Sequence, residues 1–506
     1  MMAPELVAAI KARGVSAQEL FRRLLWRRLF LETGYTPAQM VEWIVNAPRW
    51  LLLAALVYAP WADGSTRAWT VAVLNILLGT TVILWLAGCL ARRAWPSIHR
   101  IPLVVSVVLI LQAWWMVLNA KSEYDSTTLH YLPLTPLLSW APGTLHRSLS
   151  LPMALRVSAL LGVGCFCCDL ARRPVWRTRL LWTMALTGLS LVLLGLIQRL
   201  SGATGIFWGP PDQGQTFFAT YRYHANAGAF LNLAWPLTAG LLLTSFGRDD
   251  NRRERTFWIA ALVLCLAGVF VNASRAANLI AVGLIVVWLG RLLWKRHHSL
   301  NRPPVKPAIL VITILSVVMV LAGLAAFGGL DTTLRRWGKF NEELSARNPR
   351  LLVAQVCMRM LPDAGCWGFG PGTFQTVFPY YTTELGDEIS GIWYYAHDDY
   401  LQTLLEWGWL GGALWAVYLL GGMTFSWLTV IRHPQQLSST DRMNFFAILT
   451  ALLGLVVHAS MDYPLQVASI ELYGVVLLGM LWSCRSWIGK SHVLNRLEKR
   501  LEASSS

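Results

Sequence analysis

Four side chains stand where they could do chemistry: His397, Arg222, Arg275 and Arg350. His397 opens the run Ala396-His397-Asp398-Asp399-Tyr400-Leu401-Gln402-Thr403-Leu404-Leu405-Glu406-Trp407-Gly408. A neutral imidazole there can take a proton from a hydroxyl. Standing just before a helix, taken alone it fits a structural role better than a catalytic one. Asp399 with Gln402 three residues on has capping-box spacing, so the helix is expected to start there. Arg222 lies in Thr220-Tyr221-Arg222-Tyr223-His224-Ala225-Asn226, Arg275 in Asn272-Ala273-Ser274-Arg275, and Arg350 in Asn348-Pro349-Arg350. A guanidinium binds phosphate through two parallel hydrogen bonds, but each arginine is also suited to an ion pair with a nearby carboxylate. Gly368-Phe369-Gly370-Pro371-Gly372-Thr373-Phe374 permits tight turns and close backbone approach, yet lacks the Lys-Ser/Thr ending of a phosphate loop.

The elements that must position these residues are membrane helices. Of 506 residues 55% are hydrophobic and 14% charged, where a soluble chain carries roughly 25% charged residues. Mean hydropathy is +0.47. Apolar runs long enough to span a bilayer fall near 45–62, 68–90, 101–120, 151–170, 180–200, 224–246, 256–273, 276–294, 307–328, 408–430, 443–461 and 468–488. The expected fold is therefore all-α, a polytopic membrane protein of about twelve helices. The first run is the weakest, because Arg49 interrupts it.

The net charge of +16 sits in short connectors such as Arg92-Arg93, Arg172-Arg173, Arg252-Arg253 and Lys295-Arg296. Alternate basic connectors are the positive-inside pattern, and it predicts both termini in the cytoplasm. No continuous basic surface or fold motif points to nucleic acid. Two outward connectors are long, about 121–150 and about 329–407. The second is rich in acids and is expected to be functional and partly helical, lying between helices 9 and 10. The expected organisation is an amphipathic cytoplasmic segment over 1–44, a transmembrane domain over 45–488 that includes the loop at 329–407, and a basic cytoplasmic tail over 489–506. Cys165, Cys167 and Cys168 read as helix filler. Cys357 and Cys366 share the long loop, and an oxidising compartment would allow them a disulfide.

Together these segments resemble the O-antigen ligase and O-antigen polymerase (Wzy-type) superfamily. The ordered features are Arg350, Pro362, Gly368 to Phe374, His397 to Gln402 and Glu406-Trp407-Gly408 in the loop, preceded by Arg222 to Asn226 and Ser274-Arg275 and followed by His458 and Asp462-Tyr463-Pro464-Leu465. The family often has Asn after the loop His; here Asp398 stands there, adding a negative charge beside the imidazole. The resemblance implies an inner-membrane glycosyltransferase of bacteria that works on the periplasmic face. Its donor would be an undecaprenyl-diphosphate-linked glycan. Its acceptor would be lipid A–core, another lipid-linked glycan or a protein hydroxyl, for a ligase, a polymerase or a protein O-oligosaccharyltransferase respectively. It implies inverting, metal-independent transfer with no cofactor.

On that reading His397 is the general base, and Arg222, Arg275 and Arg350 hold the diphosphate. Asp398, Tyr400, Gly370 and Gly372 are possible supporting residues. His397 with Asp398 and Asp399 is too short a cluster for a metal site. The rival class is a transporter or flippase of lipid-linked glycans, with Asn75, Arg156, Asp169 and His458 along a polar path.

Overall fold

The computed structural model describes residues 37–211, 216–246, 252–298, 331–338, 349–383, 389 and 391–488. Of the described residues, 76% are helical. Its helices are α1 (Pro37–Trp61), α2 (Ala68–Ala91), α3 (Arg100–Leu118), α4 (Arg147–Leu170), α5 (Pro174–Leu200), α6 (His224–Ser245), α7 (Arg252–Val271), α8 (Arg275–His298), α9 (Asp331–Gly338), α10 (Pro349–Ala364), α11 (Phe374–Val377), α12 (Asp399–Arg432), α13 (Ser439–Ala459) and α14 (Ala468–Trp482). A single antiparallel hairpin, β1 (Ser122–Asp125) with β2 (His130–Pro133), follows α3 and pairs Tyr124 with Tyr131.

Nine of the described helices are long and apolar enough to cross a membrane. The protein is thus a multi-pass membrane protein, as the apolar runs require. Helix α1 falls outside the nine because Asn46 and Arg49 dilute it. It nonetheless packs along α2 and α5, with Leu52, Ala55, Leu56 and Ala59 fully buried. Helix α14 is apolar but has 15 residues. The expected span at 307–328 lies outside the described residues, as do the amphipathic N-terminal segment before residue 37 and the tail at 489–506. At the centre is α6, buried on every side and packed against α5, α7, α8 and α13.

The long connector before α12 has a core of its own. Val353, Val356, Cys357, Met360 and Ala364 form one stripe of α10, at the three- and four-residue spacing of a helix face, and meet Phe374, Val377, Phe378, Ala396 and Leu405. That stripe bears on the two cysteines of the connector. Cys357 points into this core while Cys366 is exposed beyond the turn that ends α10; both are free thiols, and no disulfide joins them.

Helix α12 is broken at Gly408, which adopts φ +67°. A side chain there would collide with the Cys366 carbonyl. The break exposes backbone groups that the glycine-rich turn satisfies: Phe369 N donates to Leu405 O (2.9 Å), Gly370 N to Glu406 O (3.1 Å), and Leu410 N to Cys366 O (3.0 Å). The buried Glu406 carboxylate accepts from the amides of Gly372 (2.8 Å) and Phe374 (3.3 Å). The turn therefore fixes the short first arm of α12, which leads back to His397.

Candidate active site

His397 is the last residue before the N-cap of α12, and its backbone is left-handed at φ +54°. A non-glycine residue held there stores strain, and such residues cluster where geometry matters to function. Its Nδ1 lies 2.9 Å from Asp462 Oδ1. A carboxylate accepts, so Nδ1 carries a proton, and in the neutral imidazole that tautomer leaves the lone pair on Nε2. Asp462 sits in the turn between α13 and α14. Its Oδ1 also accepts from Tyr463 N (3.1 Å), and its Oδ2 accepts from the Tyr223 hydroxyl (2.9 Å). Burial works against the Asp462 charge, but the His397 hydrogen bond and the Arg350 charge hold the carboxyl below the usual carboxylate range. Burial, and then Asp462, push the Tyr223 phenol up, so it stays protonated as a donor.

The carboxylate on the imidazole is thus Asp462 and not the adjacent Asp398. Asp398 is the N-cap of α12: its Oδ1 accepts from Tyr400 N (2.9 Å) and Leu401 N (3.0 Å). The cap falls one residue earlier than the Asp399–Gln402 spacing suggests. Asp399 is fully buried and accepts instead from Leu465 N (2.8 Å) and Gln466 Nε2 (3.1 Å). It pins the Asp462-bearing turn to the start of α12. Tyr400 donates to the Val456 carbonyl (2.6 Å), tying α12 to α13.

The arginines separate into different surroundings. Arg350 Nη2 donates to the Tyr223 hydroxyl (2.7 Å) and lies 3.9 Å from Asp462 Oδ2, so it joins the His397–Asp462–Tyr223 chain. Arg222 borders a cavity of about 1290 Å³. Its Nη2 lies 3.3 Å from Asp63 Oδ2, a carboxylate it shares with Arg67. Burial pushes the Asp63 carboxyl up, and Arg67 opposes this. Arg67 and Arg156 border the same cavity; Arg156 is paired with Glu471 and donates to Gln466 O (3.1 Å). Arg275 begins α8 on the neighbouring turn, where Asn272 Nδ2 donates to the His224 carbonyl (2.9 Å); it is not among the residues bordering the cavity.

The cavity has two characters. One end is polar, with Arg67, Arg156, Arg222, Tyr223 and Gln466. The other is an apolar wall of α2 that includes Val71, Ile76, Val82 and Ile83. Tyr463 borders it and carries the aromatic link to the imidazole: its ring centroid is 4.9 Å from that of His397 and stacks on Tyr223 and Tyr395. Gly372 borders a smaller adjoining pocket of about 210 Å³ with Arg156, Gln375 and Glu406. The backbone of Gly370, at φ +118°, packs against Thr144, where a side chain would collide.

Asp63 and Arg67 are the site residues that motif reading passed over; Asp462 and Tyr223 stood inside its motifs without a role of their own. The available signal was positional. Asp63 and Asp462 are acids in very short turns between apolar runs, on the same side as Arg222.

Residues 260–416 match the family model for O-antigen ligase, a stretch that includes Arg275, Arg350 and His397. No curated protein matches the chain. From within α7 to within α12, this chain is similar to the O-antigen ligase family, which supports the O-antigen ligase and polymerase resemblance.

Proposed function

We propose that the protein transfers a glycan from an undecaprenyl diphosphate carrier to an acceptor hydroxyl, at the periplasmic face of a bacterial inner membrane. The observation that carries this reading is the His397–Asp462 pair, 2.9 Å apart and linked through Tyr463 to the arginine-bordered cavity. The O-antigen ligase domain supports a glycosyltransferase-like ligase chemistry with glycan and lipid-linked partners. The alternation of basic connectors, such as Arg92-Arg93 and Arg172-Arg173, supports cytoplasmic termini.

In the proposed step Nε2 of His397 takes the acceptor's hydroxyl proton as its oxygen attacks the anomeric carbon. The bond from that carbon to the diphosphate oxygen breaks, and the electron pair leaves with the carrier. Attack opposite the leaving group inverts the anomeric configuration. Arg222 and Arg67 are the cations best situated to meet the leaving diphosphate, with the apolar α2 wall beside its lipid. Arg350 steadies Asp462 through Tyr223. Arg275 is a more distant contributor to the positive field. Two guanidinium groups at the leaving group make the step independent of a metal ion.

The test uses the purified full chain in nanodiscs with a lipid-linked glycan and candidate acceptors. Wild type should form a new glycosidic bond with a chelator present, and His397→Ala should lose transfer while remaining folded. Near-normal turnover by His397→Ala would overturn the base assignment. Lipid scrambling without bond formation would favour a flippase.

A further inference from the structure

At the end of the bundle away from His397, α1, α2 and α4 enclose a second cavity of about 220 Å³. Four guanidinium groups border it, from Arg49, Arg92, Arg172 and Arg173, against one carboxylate, Asp169. Asp169 is already engaged, accepting from Trp85 Nε1 (3.3 Å) and Ser97 N (3.2 Å). Among the described residues, none of the four arginines is ion-paired.

Arg49 is the most constrained of the four. It is 9% exposed, donates from Nη1 to Asn46 Oδ1 (2.6 Å), and lies 5.4 Å from the Trp176 ring centroid. Its guanidinium is therefore held in place before any ligand arrives. Like charges gathered in a partly enclosed cavity repel one another, and an arginine inside a helix bundle needs an anion. Guanidinium forks match phosphate oxygens in geometry and charge. The cavity suits a phosphate group with its ester carbons and has no room for acyl chains. Arg92 and Arg173 are exposed at its rim, and Trp50 and Trp95, also exposed, stand at the same end where interfacial tryptophans gather.

We propose that this cavity binds a phosphate oxyanion, supplied by the headgroup of an anionic phospholipid in the leaflet opposite the candidate active site. A soluble phosphate has the same chemistry and is the other source. The site does not depend on which reaction occurs at His397.

The test measures binding to the delipidated full chain by native mass spectrometry. The probes are phosphatidylglycerol, phosphatidylcholine and inorganic phosphate. Wild type should prefer phosphatidylglycerol over phosphatidylcholine by about tenfold or more, and Arg172→Gln/Arg173→Gln should lose most of that preference. These two arginines lie in the α4–α5 connector, so thermal unfolding should match wild type. Arg172→Lys/Arg173→Lys keeps the charge without the fork and should bind between the two. Variant-sensitive binding of inorganic phosphate without a lipid preference would support the site with a soluble source. Equal binding by wild type and the Gln variant, or by wild type and the Lys variant, would overturn it.

Discussion

Nδ1 of His397 lies 2.9 Å from Oδ1 of Asp462, 65 residues along the chain. The bond fixes the tautomer that leaves Nε2 able to accept a proton. Asp462→Asn should keep the turn but present the wrong hydrogen-bonding partner. Transfer kinetics should show kcat reduced by about 10²–10⁴-fold with little change in donor KM. An equal loss in kcat for a variant of an exposed residue that does not border the cavity, such as Trp409→Phe, would argue against a specific role.

The same pair has a pH signature in stability. Asp462 is held below its ordinary range once folded, so its contribution is fully present above the unfolded carboxyl value of about 3.9. It is lost as the pH falls through the lower folded value. Thermal unfolding of wild type and Asp462→Asn should differ by a constant amount from pH 5 to 7 and converge below about pH 4. A gap that widens on acidification would refute the assignment.

Arg222 and Arg67 share the Asp63 carboxylate at the polar end of the larger cavity. If they meet the leaving diphosphate, Arg222→Gln should lower kcat/KM for a lipid-linked donor by about 10²-fold. Arg222→Lys should recover only part of this, because a point charge does not reproduce a fork. Arg350→Gln should differ in kind, lowering kcat through Tyr223 and Asp462 while donor KM holds. Identical kinetic profiles for the two Gln variants would return Arg350 to the diphosphate.

Helix positions were the most legible part of the sequence, because a span declares itself locally through some twenty apolar residues. Twelve runs match eleven described helices and one stretch outside the described residues. His397, Arg222, Arg275 and Arg350 stood out as polar residues beside apolar runs. What joins them was not legible. Asp462 reaches His397 only because Asp399 binds the Leu465 and Gln466 side of that turn, a contact across 66 residues with no local mark. Asp398 took the cap expected of Asp399 for the same reason, and Asp462 took the place beside the imidazole expected of Asp398. Either can cap a helix, and which one does depends on whether a buried partner claims the other. The α12 break was hidden too, since Gly408 reads as the start of a span until the Cys366 carbonyl is seen against it.

Asp399 acts on the site through that turn, so it is a positioning residue. Asp399→Ala strands the part-buried Leu465 amide and the Gln466 side chain, and should cost about 1–3 kcal/mol. It should also lower kcat. Asp399→Asn retains an oxygen for the Leu465 amide, and Gln466 can turn its own carbonyl to the new amide. Recovery of both unfolding temperature and kcat in Asp399→Asn is the expected result. Recovery of stability alone would mean that Asp399 takes a direct part in the reaction.

The thiols of the long connector offer a check on its packing that needs no substrate. Burial, with Asp398 adding to it, pushes the Cys357 thiol up to about 12, while Cys366 is exposed. A thiolate-directed maleimide should label Cys366 within minutes in the native protein and reach Cys357 only after unfolding. Peptide mapping should locate the label, and reductant should leave the extent of labelling unchanged. The argument turns on the α10 stripe: Cys357 lies between Val353 and Met360, so a disulfide to Cys366 would have to draw it out of the Phe374 and Phe378 core. Reductant-dependent labelling of Cys366 would show that the connector takes up that other packing.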